Sequence, residues 1–204
     1  MITIVDYGLG NIRSLTNWFK RGNVEVNFTD DVTAIRNSDV IILPGVGAYE
    51  DAMKKLDEKG LSNVIVEEVR NGKPIVGICL GMQLLYEKSY EGGLFKGLGL
   101  IKGDIVPFDK DRVKVPHMGW NELVSSDERW TNNYVYFVHS YYVDSALDEV
   151  IAYANYDIKV PSIVKKDRIL GFQFHPEKSG DNGQEMLKLI EELRNDYLSS
   201  NRYT

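Results

Sequence analysis

Short apolar runs in the first half of the chain restrict the fold most. Ile2–Asp6, Val24–Phe28, Asp39–Leu43 and Ile75–Ile78 each read as a strand, and Val40-Ile41-Ile42-Leu43 has no polar residue at all. A strand with one wet face alternates apolar with polar residues. A run apolar at both sets of alternate positions must be covered on both faces, as in parallel sheets flanked by helices. Helical patterns fall where such a sheet needs its crossovers. Asn11–Lys20 sets Ile12, Leu15, Trp18 and Phe19 on one stripe before Gly22, Ala48–Lys59 and Leu61–Arg70 follow the third strand, and Gly81–Tyr86 follows the fourth. This βαβ rhythm predicts an α/β fold with a central, mostly parallel sheet.

The second half has a different rhythm. Leu98–Ile105, Arg112–Val115, Tyr134–Val138, Val150–Tyr156, Ile163–Lys165 and Ile169–Phe174 are short segments punctuated by Gly, Asn, Asp and Pro. They read as mostly antiparallel strands added to the same body, closed by a helix over Gln184–Leu198. No repeat or polar linker divides the chain, so residues 1–204 are expected to form a single domain.

Composition excludes several functions. The chain carries 24 Lys and Arg against 30 Asp and Glu, a formal charge of −6 with a pI near 5.2. A duplex-binding surface needs a basic footprint, so nucleic acid is not an expected partner. The apolar runs are far shorter than a membrane span, and the first residues lack the basic and apolar regions of a signal peptide. Cys79 is the only cysteine, so no internal disulfide forms and a reducing, cytoplasmic location is expected.

That cysteine sits in Gly77-Ile78-Cys79-Leu80-Gly81, directly after an apolar strand. The spacing is that of a nucleophile elbow with Cys in the serine position. Glycines two before and two after remove the Cβ atoms that a sharp strand-to-helix turn would drive together. The following helix start offers unpaired N–H groups and partial positive charge to a thiolate or an oxyanion. The alternative is a buried structural cysteine acting as a small hydrophobe.

His175-Pro176-Glu177 closes the Ile169–Phe174 strand. In an extended chain i and i+2 face the same way, so His175 and Glu177 are expected to emerge together, opposite Leu170, Phe172 and Phe174. A carboxylate beside an imidazole selects its tautomer and frees Nε2 to activate a nucleophile; the alternative is a solvated turn. Cys79, His117, His139 and His175 lack metal-ligand spacing, so neither metal nor cofactor is expected. Asp6-Tyr7-Gly8-Leu9-Gly10-Asn11-Ile12-Arg13 puts Arg13 where a dinucleotide loop needs its third glycine, which rejects that motif. Pro44-Gly45-Val46-Gly47 is either an anion-facing backbone loop or a plain turn.

Together, Cys79 in Gly-Ile-Cys-Leu-Gly-Met-Gln and His175-Pro-Glu-Lys resemble the class I (triad) glutamine amidotransferases. Asp6–Asn11, Leu43–Ala48, Pro116–Asn121 and Tyr136–Tyr141 are each similar to blocks of one family, the glutaminase subunit of imidazole glycerol phosphate synthase. The resemblance runs end to end and implies the flavodoxin-like fold of that class. It implies hydrolysis of L-glutamine with Cys79 as nucleophile, His175 as proton shuttle and Glu177 as its orienting group. Leu80 and the Gly45-Val46 peptide would serve the oxyanion, and Gly47, Gln83, Glu91, Ser140 and Tyr141 would hold glutamine. The implied partner is a separate TIM-barrel cyclase subunit, joined as a heterodimer in histidine biosynthesis and receiving the ammonia. Asn11, Met118, Trp120 and Lys178 match positions near that interface. A glutaminase of another pathway, a peptidase or γ-glutamyl hydrolase of the same fold, and a non-catalytic binding module on that fold are the competing readings.

Overall fold

The computed structural model describes residues 1–144 and 147–200. The first half runs β1 (Ile2–Val5), α1 (Ile12–Arg21), β2 (Val26–Thr29), α2 (Val32–Arg36), β3 (Val40–Leu43), α3 (Tyr49–Glu58), α4 (Leu61–Arg70), β4 (Ile75–Ile78) and α5 (Leu80–Leu84). The second half adds β5 (Lys88–Ser89), β6 (Phe95–Lys96), β7 (Asp104–Pro107), β8 (His117–Val124), β9 (Tyr134–His139) and β10 (Tyr141–Asp144). It ends with β11 (Val150–Tyr156), β12 (Ile158–Lys166), β13 (Ile169–Phe172), a 3-10 turn over Pro176–Lys178 and α6 (Gly180–Ser200).

The main sheet has the order β2-β1-β3-β4-β13-β12-β11-β8-β9. Its first five strands are parallel and the other four join antiparallel. The parallel part has the doubly wound order in which ligands bind beyond the carboxyl ends of the strands. β10, β7, β5 and β6 form a second, four-stranded sheet. The added strands therefore divide between two sheets rather than extending one.

Alternation along the apolar strands explains their composition. Ile2, Ile4, Val40, Ile42, Val76 and Ile78 pack on one face with Leu15, Trp18, Phe19, Met186 and Ile190 of α1 and α6. Val5, Ile41, Leu43 and Ile75 pack on the other with Tyr49, Leu56, Leu61 and Ile65 of α3 and α4. Both faces are dry, so both sets of positions are apolar.

Several boundaries depart from the sequence reading. Arg112–Val115 forms no strand: the amides of Arg112 and Val113 both donate to the Asp109 carbonyl, at 3.2 and 3.1 Å, which makes a turn. The strand lies further on, as β8. Between Leu98 and Ile105 only the last two residues pair, within β7. α6 begins four residues before Gln184. No helix among the described residues is long and apolar enough to cross a membrane.

Candidate active site

The elbow forms as the glycine spacing requires. Cys79 adopts φ 53° and ψ −111°, a left-handed backbone that a β-carbon resists. A Cβ on Gly81 would come within 1.9 Å of the Leu43 carbonyl oxygen, and one on Gly77 within 2.6 Å of Met82 Cα. Both neighbours are backbone and cannot yield, so only glycine lets β3, β4 and α5 approach this closely. The Cys79 amide donates to Phe172 O at 2.7 Å, which ties the turn to β13.

β13 ends at Phe172, and the chain carries on to His175 at its carboxyl end. The His175 amide donates to Tyr136 O at 2.9 Å, and Ser179 Oγ accepts from the Tyr136 amide while donating to His175 O. Imidazole Nδ1 lies 2.8 Å from Glu177 Oε1, both side chains almost wholly buried. The two come together through the 3-10 turn, which folds Glu177 back, and not through the extended i, i+2 geometry that the sequence suggests. Burial alone would lower the His175 pKa. Hydrogen bonding to Cys79 and to Glu177, reinforced by their negative charges, overcomes it and pushes the value up to about 10.

Cys79 and His175 share a cleft of about 240 Å³ with Val46, Gly47, Leu80, Gln83, Glu91, Val138, His139, Ser140, Tyr141 and Lys178. Gly45 lies behind that wall: a Cβ there would meet Gly81 N at 2.6 Å and Leu80 Cβ at 2.8 Å. The Tyr7 hydroxyl donates to Pro44 O at 2.6 Å and anchors the loop. Gln83 Nε2 donates to Tyr141 O at 2.9 Å and to Gln173 Oε1 at 3.0 Å. Both amide protons are thus engaged, leaving its carbonyl oxygen as the group available to a ligand. Glu91 Oε2 accepts from the Tyr49 amide at 3.2 Å, and partial burial raises its pKa. A larger cleft of about 670 Å³ at the β2 edge, between Met1, Lys20 and Val24, is lined by neither a thiol nor an imidazole. The chemistry, not the volume, selects the smaller one.

Lys178 stands at the cleft and also over the Tyr136 ring, 5.8 Å from its centroid. Tyr136 meets Trp120 edge-on at 6.0 Å. Trp120, Met118 and Tyr134 are 57%, 61% and 52% exposed, so an apolar surface adjoins the site. Asn11 is exposed and caps α1, its Oδ1 accepting from the Ser14 amide. α1 in turn packs on the turn that carries Glu177 and Lys178.

Four groups were given no role at this site by the sequence reading. Val138 O lies 3.9 Å from the Cys79 sulfur. Tyr7 and Gln173 support the loop and Gln83, and His139 lines the cleft. Gln173 gives no local signal beyond being polar next to a buried strand, and Val138 acts through its backbone.

A cysteine elbow facing a carboxylate-paired imidazole at the strand carboxyl ends is the arrangement expected of a triad amidotransferase. The glutamine amidotransferase class-I family matches residues 3–191. The imidazole glycerol phosphate synthase subunit HisH of Oceanobacillus iheyensis is 50% identical over 200 residues, covering 95% of this chain and 99% of that protein. Its counterpart in Carboxydothermus hydrogenoformans is 45% identical over 199 residues, 95% of this chain and all of that one. A glutamine amidotransferase crystal structure superposes with TM-score 0.77 over 95% of this chain and 98% of its own, at 18% identity, which speaks to the fold. The chain belongs to the class-I glutamine amidotransferases and, within them, to the imidazole glycerol phosphate synthase subunit HisH family.

Proposed function

We propose that this chain hydrolyses L-glutamine at Cys79 and passes the ammonia to a TIM-barrel cyclase subunit that makes imidazole glycerol phosphate. The observation that carries this reading is a single cleft lined by both the Cys79 thiol and the His175 imidazole, whose Nδ1 is paired to the Glu177 carboxylate behind it. A carboxylate-paired imidazole in the same cleft serves as the base that takes the thiol proton and later returns it to a leaving group. The sulfur adds to the side-chain amide carbon of glutamine. The oxyanion forms beside the Leu80 amide at the start of α5, with the Gly45-Val46 peptide as second donor. His175 then gives its proton to the amide nitrogen, the C–N bond breaks, and ammonia leaves a γ-glutamyl thioester. Water attacks the thioester, yielding its proton to His175, and glutamate departs as the thiol re-forms.

The cleft volume supports a free amino acid over a peptide. About 240 Å³ lies below the roughly 300–1,000 Å³ of pockets that hold drug-sized ligands. The Gln83 oxygen and Glu91 both accept hydrogen bonds, which suits an α-ammonium group, while Gly47, Ser140 and Tyr141 close round the rest. Ammonia released to bulk water would be protonated and lost as a nucleophile, so a partner must cover the exit. The exposed Met118, Trp120 and Tyr134 beside Lys178 and Asn11 suit that cover. Glutamate formation should depend on Cys79 and rise when the cyclase subunit and its nucleotide ligand are added. Glutamine turnover that survives Cys79→Ala would refute the assignment.

A further inference from the structure

β8 and β9 place two buried histidines opposite each other, His117 paired with His139 in register, at 3% and 7% exposure. His139 is the last residue of β9. Immediately beyond it the chain leaves the main sheet and enters the second one as β10, so Ser140 is the corner between them. That corner lines the cleft, and Gln83 Nε2 donates to Tyr141 O just beyond it.

With both rings neutral, the hydrogen bonds around them allow one proton arrangement. His139 Nδ1 lies 2.7 Å from Tyr141 O, a carbonyl that can only accept, so Nδ1 carries the proton and Nε2 is an acceptor. His117 Nδ1 lies 2.9 Å from that Nε2 and must therefore donate, which leaves His117 Nε2 to accept. Asn121 Nδ2 supplies that donor at 3.2 Å, its other contact being Asn155 O at 3.1 Å. The chain runs one way, from the Asn121 amide to the Tyr141 carbonyl, which also accepts from Gln83. His117 is clamped between Phe137, at 4.6 Å and 21°, and Tyr156, at 4.0 Å and 20°. Phe108 meets His117 edge-on and His139 at a tilt of 58°. Burial pushes His117 down to about 4 and His139 to about 3, and His175 is the nearest further imidazole acting on His139. Burial thus favours the neutral form of both rings, the form in which the chain runs one way.

We propose that His117 and His139 are positioning residues, a neutral hydrogen-bonded brace that holds the Val138–Tyr141 wall at the distance where it engages Gln83 and the substrate. This rests on the glutamine reading of the cleft. Neither ring is asked to move a proton. Their work is to fix a sheet-to-sheet corner whose backbone carbonyls form the pocket, at a place where a polar β-strand end would otherwise be free to adjust.

Two measurements test the brace. Long-range ¹H–¹⁵N correlation spectra of the intact chain at neutral pH should show His117 and His139 neutral and protonated at Nδ1. A charged ring, or one protonated at Nε2, overturns the proposal. In the complex with the cyclase subunit, His117→Phe keeps an aromatic ring in the clamp but removes the donor. Its KM for glutamine should rise about tenfold, with kcat within about threefold, the scale of one unsatisfied buried acceptor. His139→Asn, which retains a donor and an acceptor near the same branch point, should keep KM closer to wild type than His139→Leu does. An unchanged KM in His117→Phe, or a loss confined to kcat, overturns the proposal. Should the wild-type complex make no glutamate, the glutamine reading fails, and the tautomers alone decide the brace.

Discussion

Cys79 sits at φ 53° in a turn that exists because Gly77 and Gly81 have no side chains. Gly81→Ala puts a Cβ into the Leu43 carbonyl. Overpacking of this kind costs about 3 kcal/mol, which in a domain this size lowers Tm by roughly 6–12 °C, readable by thermal unfolding. Cys79→Ala keeps the β-carbon, and with it the cost of the positive φ, while removing a single buried sulfur atom and opening no large cavity. It should leave Tm near wild type, abolish glutamate formation, and spare synthesis by the complex from added ammonium salt. Loss of both activities would count against the thiol's role. Glu177→Gln replaces an acceptor with an amide at 2.8 Å from His175 Nδ1. A comparable change in a serine triad lowers kcat by about 10⁴, and a loss of at least about 10² in glutamine hydrolysis is expected here. The motif around Cys79 was readable because sharp turns demand particular residues at particular spacings. The pairing of His175 with Glu177 was readable as a pair, although its 3-10 geometry came from Pro176 and from the bonds through Ser179 to β9.

Among the elements, β8 is the instructive case. Its apolar Met118 and Trp120 face outward and its polar His117 faces inward, the reverse of an ordinary half-buried strand. A reading of alternate hydropathy therefore passes over it and settles on Arg112–Val115, whose alternation is only local. The inversion has a use: the outward face is open to a partner and the inward face carries the histidine brace. Trp120→Ala should weaken binding to the cyclase subunit by about 30-fold, the size of a hot-spot residue. The free chain's Tm should stay within about 2 °C, as for other exposed substitutions. Equal affinity, measured by titration calorimetry, would remove Trp120 from the interface. α6 begins at Gly180, before the Gln184 that the sequence pattern predicts, and its first turn contains Gly180 and Gly183, residues of low helix propensity. A Cβ on Gly183 would lie 1.9 Å from Pro176 O, so the glycine is there to seat the helix against the turn bearing Glu177.

Across the molecule, the three histidines should shape stability against pH from both sides. His117 and His139 have folded pKa values below the ordinary 6.5, so the unfolded chain takes up protons first as pH falls. Their contribution is complete above about 6.5 and is lost as pH drops toward 4 and 3. His175 is the opposite case. Its folded value is raised to about 10, so its contribution is complete below 6.5 and is lost as pH climbs through 10. Urea midpoints should peak near neutrality, with the acid limb flattened in His117→Phe and the alkaline limb flattened in Cys79→Ala. Unchanged limbs in both variants would refute these assignments.

The sequence by itself determined the parallel half of the sheet, the elbow and the amidotransferase family, because these rest on local rules: both-face burial, glycine at tight turns, and residue blocks read in order. Tertiary structure alone decided the second sheet, the corner at Ser140 and the one-way chain through His117 and His139. Those depend on which strands meet and in what register. A polar residue's hydrogen bonds are set by neighbours distant in the chain, and hydropathy along the chain carries no record of them.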